Sequence, residues 1–268
     1  MAKLLSHRHP LLYHIAVACH RLRRQIAWFM DDHMMAGKHP ESLPHLVKRH
    51  SSRLIKILGD SDLQLQKNKV VNLNLIAPLI DGVRIGPGEA FSFCRLVGKP
   101  TRKRGFLPGM ELSMGKARSG VGGGICQMAN LLHWLVLHSP LTVTERSAHS
   151  FDPFPDQNRS MPFGTGCAVF YNYVDLCFRN DTDDTFQFKI WITDDDLWGE
   201  LRSDRKIAHT YKIYEQNHRF LRRDGEFYRS NEIWRRVMER STGRHIRDEK
   251  LKENFVRVMY RPEVWEEE

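Results

Sequence analysis

The sequence lacks most signatures that would point to a common class. Its five cysteines, Cys19, Cys94, Cys126, Cys167 and Cys177, are odd in number and far apart, with no Cys-x-x-Cys pair. That spacing argues against a disulfide framework or a cysteine zinc site and suits reduced thiols. Fourteen histidines occur without an H-x-x-x-H or H-E-x-x-H pair, so no metal is expected, nor any other cofactor. No stretch reaches the roughly 18 apolar residues of a membrane-spanning helix. The apolar patch from Leu11 to Cys19 contains His14 and is followed by Arg21, Arg23 and Arg24, whereas a secretory signal places its positive charge ahead of the apolar run. A secretory signal is therefore not expected, and a cytoplasmic location is. Repeats and low-complexity tracts are missing. So are a P-loop, a dinucleotide fingerprint and any interleaving of aromatic and basic residues, and nucleic acid is not an expected partner.

The net charge of +9 is uneven. Residues 1–60 carry ten Lys and Arg against four Asp and Glu, whereas residues 61–200 carry fourteen against fifteen. The near-neutral middle contains a local basic run, Arg95, Lys99, Arg102, Lys103, Arg104, Lys116 and Arg118, opposed only by Glu111. Such a run is commonly a solvated loop. Its place ahead of Cys126 also makes Arg102 and Arg104 candidates for drawing in an anionic ligand.

The most informative stretch is Ser119-Gly120-Val121-Gly122-Gly123-Gly124-Ile125-Cys126-Gln127, which runs directly into Met128-Ala129-Asn130-Leu131-Leu132-His133-Trp134-Leu135-Val136. Three successive glycines imply a sharp turn or a close approach. The residues after them are apolar on every face of a helix, so that helix is expected to be buried. Cys126 stands at its start, where unpaired N–H groups and the positive dipole end lower a thiol pKa. The bland alternative is a small core residue in a tightly packed helix.

Elsewhere the pattern predicts an amphipathic helix at 10–36 and a second at about 45–58. The first has Leu11, Leu12, Ile15, Leu22, Ile26 and Phe29 on one side and Arg21, Arg24 and Gln25 on the other. Docking on its own domain is the commoner use of such a helix; peripheral contact with an anionic membrane is the other. A mixed helical segment follows from 68. Strands are predicted at Val83–Ile85, Phe91–Phe93, Met110–Met114, Leu141–Arg146, Cys167–Tyr171, Asp175–Arg179 and Phe186–Ile192. Further strands lie at 210–214, 219–221, 226–229, 233–237 and 254–260, with a hairpin turn at Arg223-Asp224-Gly225. The last residues are expected to fray. The expected organisation is an N-terminal helical segment (1–66), a core domain (67–200) and a β-rich extension (201–268). The fold class is α+β: a buried central helix with a cysteine at its N-terminus, packed on a largely antiparallel sheet.

A cysteine nucleophile needs a base and a group to orient it. His133 lies on the helix of Cys126 but about 10 Å along its axis, and His138 lies further. His149 closes the strand that follows the helix and is the favoured base. Asp175 is the first choice to orient it, with Asp152 and Asn172 behind. A helix-start Cys followed by a strand His resembles the papain and transglutaminase order. Gly122, Gly123, Gly124 and Gln127 are the expected substrate contacts.

Four segments together resemble the VanW family, named for an accessory protein of B-type vancomycin resistance. They are Asp81 to Phe93, Val121 to Gln127, Glu145 to Ser150, and Tyr171 to Asn180. The resemblance implies a link to the cell wall and glycopeptide resistance, with a peptidoglycan-related small molecule or peptide as partner. In some exported members the Gly-Gly-Gly-Ile-Cys-Gln motif is understood to carry the catalytic cysteine of a peptidoglycan transpeptidase. Cys126 and His149 match that family's motifs. Where exported members often read Gly-x-Asp-Ala, this sequence reads Gly164-Thr165-Gly166-Cys167. The leading expectation is a cysteine-dependent acyl transferase, amidase or transpeptidase on peptidoglycan precursors. The alternative is a non-catalytic accessory protein that binds a cell-wall precursor or a resistance partner.

Overall fold

The computed structural model describes residues 10–30, 35–55, 63–113, 116–148, 151–153, 155–156 and 161–267. In chain order the elements are α1 (Pro10–Phe29), β1 (Gly37–Lys38), β2 (His45–Arg53), α2 (Leu63–Ile80), β3 (Val83–Ile85), β4 (Ala90–Ser92) and α3 (Phe93–Val97). Then come β5 (Pro108–Ser113), β6 (Lys116–Val121), α4 (Cys126–Leu137), β7 (Thr142–Glu145), β8 (Phe151–Asp152), β9 (Cys177–Arg179) and β10 (Phe186–Ile192). The chain closes with β11 (Asp196–Ser203), β12 (His209–Arg223), β13 (Glu226–Glu239), β14 (His245–Val258) and β15 (Glu266–Glu267).

An antiparallel sheet of order β1-β3-β10-β11-β2 forms the floor. Helices α2 and α4 cover it, and Leu73, Ile76, Ile80, Met128, Leu131, Leu132 and Leu135 join Phe186, Phe188 and Leu201 in one buried core. Helix α4 sits so close to β11 that a Cβ on Gly199 would lie 2.9 Å from a Leu131 methyl. On its far side Trp134 and Leu137 pack with Ile213 and Ile233 of a second sheet, of order β15-β12-β13-β14-β8. A helix apolar on every face is thus enclosed by two sheets, as its sequence requires. The α+β class with mostly antiparallel sheets stands.

Several elements differ from the sequence expectation. Of the segment predicted as a helix at 45–58, residues 45–53 form strand β2, and 56–58 lie outside the described residues. The strand pairs with β11 from Asp196↔Arg53 to Ser203↔His45, filling an edge of unpaired backbone groups that outweighs a weak helical preference. Residues 167–171 make only isolated bridges, Ser147↔Ala168 and Phe170↔Val174, because the chain turns at Asn172 with φ +53°. The C-terminal pieces at 210–214 and 219–221 merge into β12, and those at 226–229 and 233–237 into β13. Asp224 and Gly225, both at positive φ, make the turn between them, the hairpin geometry their sequence favours. Glu266–Glu267 pair with β12 rather than fray, with Glu267 3.1 Å from Arg222.

Candidate functional site

Helix α4 starts at Cys126 because the chain ahead of it turns on glycine. Gly122 and Gly124 hold φ of +82° and +89°. A Cβ on Gly123 would lie 2.2 Å from the Gly109 carbonyl oxygen, and one on Gly124 2.2 Å from Lys69 Cγ. Asn72 pins this turn. Its Nδ2 donates to the Leu107 and Gly123 carbonyls at 3.0 Å each, and its Oδ1 accepts the Leu107 N–H at 2.8 Å. The Gln127 and Met128 amides close on the Gly124 and Ile125 carbonyls at 3.1 and 3.0 Å. The glycines therefore serve close packing, with the Gln127 and Met128 amides of the first turn already paired.

This turn lies on the wall of a cleft of about 900 Å³, lined also by Cys126, Gln127, Lys69, Glu111, Ala148, Phe151, Asp152, the 161–166 loop and Asn254. The Cys126 thiol donates weakly to the Val169 carbonyl at 3.8 Å. Burial pushes its pKa up, and the Glu111 carboxylate adds to the rise. Both effects act against the lowering expected from a helix start.

The 161–166 loop is tied down from several sides. His133 Nδ1–H donates to the Thr165 carbonyl at 2.7 Å, so this ring is the Nδ1 tautomer. Arg146 binds the Gly164 and Gly166 carbonyls. Asn130 Oδ1 accepts the Cys167 N–H at 2.5 Å, and Asn231 Nδ2 donates to the Phe163 carbonyl at 2.9 Å.

The predicted residues divide into groups. Cys126, Gly122, Gly123, Gly124 and Gln127 meet on one cleft. Gln127, though, uses its Nε2 on Ser52 Oγ and the Arg53 carbonyl, both at 2.8 Å, fastening α4 to β2. His149 lies outside the described residues; Ala148 and Phe151, on either side of it, line the cleft. Asp175 is buried elsewhere. It accepts from Ser92 Oγ at 2.6 Å and from the Cys94 and Leu176 amides at 2.8 Å each, capping α3. Asp152 lines the cleft and accepts from Tyr260 Oη at 3.2 Å and Arg229 Nη1 at 3.4 Å. Asn172 is fully buried, and neither side-chain atom has a hydrogen-bond partner. Arg102 and Arg104 are exposed on a short 3-10 turn; of the basic run, among the described residues, only Lys99 reaches the cleft.

Sequence reasoning missed Asn254. It is 2% exposed, its Nδ2 donates to Asn231 Oδ1 at 2.8 Å, and its own Oδ1 is buried with no partner. The residue itself lines the cleft. The signal lay in two asparagines placed inside long strands, a residue type that strands disfavour.

The family model described as VanW like protein matches residues 68–202. The chain is 34% identical over 220 residues to vancomycin B-type resistance protein VanW of Enterococcus faecalis, spanning 82% of this chain and 80% of that protein. It belongs to the VanW family. It is also 29% identical over 143 residues to the uncharacterized protein YoaR of Bacillus subtilis, 52% of this chain and 43% of that one. No solved structure matches. The VanW-matched segment holds the glycine turn, Cys126 and the loop at 161–166. Arg21, Ser52 and Asn254 reach the cleft from outside it.

Proposed function

We propose that this VanW-family chain works on a peptide-bearing cell-wall precursor, by acyl transfer through Cys126 with His149 as base. One observation carries the reading. The only cysteine on the cleft wall among the described residues faces a groove that is also lined by the residues flanking His149. A thiol held neutral by burial requires such a base, which takes the proton as sulfur attacks an acyl carbon. The carbon–nitrogen bond then breaks, the amine leaves with the proton carried by the histidine, and an acceptor amine or water resolves the thioester. The glycopeptide resistance in the name of the E. faecalis relative suggests the substrate class.

A second reading, a non-catalytic binding protein, is favoured by the raised thiol pKa. Incubation with a muramyl-pentapeptide precursor and intact-mass analysis separates them. The enzyme gains an acyl adduct that Cys126→Ala abolishes and His149→Ala slows. Calorimetric binding with no adduct and no turnover would leave the binding protein standing.

A further inference from the structure

We propose that α1 is a membrane-surface anchor: its outward apolar stripe lies in the headgroup region of an anionic bilayer.

The helix is docked the wrong way round for a soluble protein. Its inward side is largely cationic. Arg24 pairs with Glu145, Arg21 Nε donates to the Tyr171 carbonyl at 3.3 Å, and the Arg21 guanidinium lies 5.6 Å from the Phe170 ring centre. Val17 is the one fully buried apolar residue on that side among the described residues. At about 100° per residue, residues 17, 21, 24 and 28 share one face. Leu11, Ile15, Leu22, Ile26 and Phe29 fall on the opposite face, a stripe about 60° wide. All five are at least half exposed, and Phe29 is 93% exposed. An amphipathic helix ordinarily buries this face, and a contiguous exposed apolar stripe marks an interaction surface.

Charge selects the occupant. Residues 1–30 contain Lys3, Arg8, Arg21, Arg23 and Arg24 and no Asp or Glu. Exposed Arg23 flanks the stripe. An exposed arginine beside an apolar strip, on a segment rich in basic residues, suits acidic lipid headgroups over acyl chains. Self-association through the same face would set each Arg23 flank against its copy. No helix is long and apolar enough to cross a membrane among the described residues, so α1 would lie on the bilayer. Arg21 belongs both to the inner seam of α1 and to the cleft wall, so a protein seated this way holds its cleft close to the headgroups. The anchor stands independently of the chemistry at Cys126.

The test is vesicle flotation of the full chain with phosphatidylcholine vesicles, with and without about one third phosphatidylglycerol. Binding is expected only to the anionic vesicles and should fall with added salt. Leu22→Glu with Ile26→Glu should cut it at least about tenfold, and Arg23→Gln about fivefold. Both variants alter exposed positions, so the melting temperature should hold, and a drop would show that α1 packs elsewhere. Equal binding to neutral vesicles, no flotation at low salt, or a concentration-dependent dimer abolished by the double variant would each overturn the anchor.

Discussion

The Arg24 guanidinium meets both carboxylate oxygens of Glu145 at 2.5 Å, and Glu145 Oε1 also accepts the backbone N–H of Asp175 at 3.0 Å. One carboxylate thus joins α1 to β7 and to the turn that leads into β9. The hydrogen bond to Glu145 is the main reason the Arg24 pKa is raised.

A double-mutant cycle should measure this link. The side chains are 21% and 32% exposed, so Arg24→Ala should cost about 1 kcal/mol and couple to Glu145→Gln by a similar amount. Urea unfolding of the four species gives the coupling. Purely additive costs would show that α1 is held by Val17 and the aromatic contacts of Arg21 alone.

Asp175 should matter for stability rather than for thiol reactivity. Asp175→Ala removes the acceptor of three hydrogen bonds at a fully buried site, at an expected cost of about 2–4 kcal/mol. Asp175→Asn keeps part of that set and should cost about half as much. The alkylation rate of native Cys126 should stay the same in Asp175→Asn. A slowed rate in a stable variant would return Asp175 to the role of orienting a base.

The native Cys126 thiol should alkylate late. Burial and Glu111 raise its pKa, so limiting iodoacetamide near neutral pH should label exposed Cys19 first. Labelling of Cys126 should still be climbing above about pH 9 and should speed up in Glu111→Gln. Preferential labelling of Cys126 at about pH 6.5 would show that a neighbouring base already holds its proton in the free protein.

Acid stability should report His133 and His138. Burial lowers their pKa values from 6.5 to about 3 and about 4. The unfolded chain takes up protons below about pH 6.5 while the folded chain does not, so stability present above that pH is lost as pH falls. Each histidine contributes roughly 1.4 kcal/mol per pH unit, both down to about pH 4 and His133 alone below it. His133→Asn should halve the slope of urea midpoint against pH between 6 and 4.5. An unchanged slope would locate the acid sensitivity in the carboxylates.

The candidate site was legible where the signal was local. The glycine turn and the helix behind it stand next to each other in the chain, so the position of Cys126 at a helix start could be read directly. The surroundings of Asp175 could not be read from the sequence, because its Ser92 partner lies 83 residues away. Asn254 escaped because a lone asparagine in a strand carries no motif; only its partner Asn231 and its unpaired oxygen single it out.

By itself the sequence determined that α4 is buried on most sides, that Phe186–Ile192 is a strand and that Asp224-Gly225 is a turn. Each depends on side-chain period or on φ preferences of adjacent residues, which are properties of a short segment. Tertiary structure alone decided that 45–53 pairs as a strand, that the Cys126 thiol is held against the Val169 carbonyl, and that α1 turns Arg21 and Arg24 inward. Those outcomes follow from partners brought together across the chain. An open sheet edge at β11, the desolvation around a sulfur, and a Glu145 carboxylate 121 residues from Arg24 set the local balance of energies, and no window of sequence contains them.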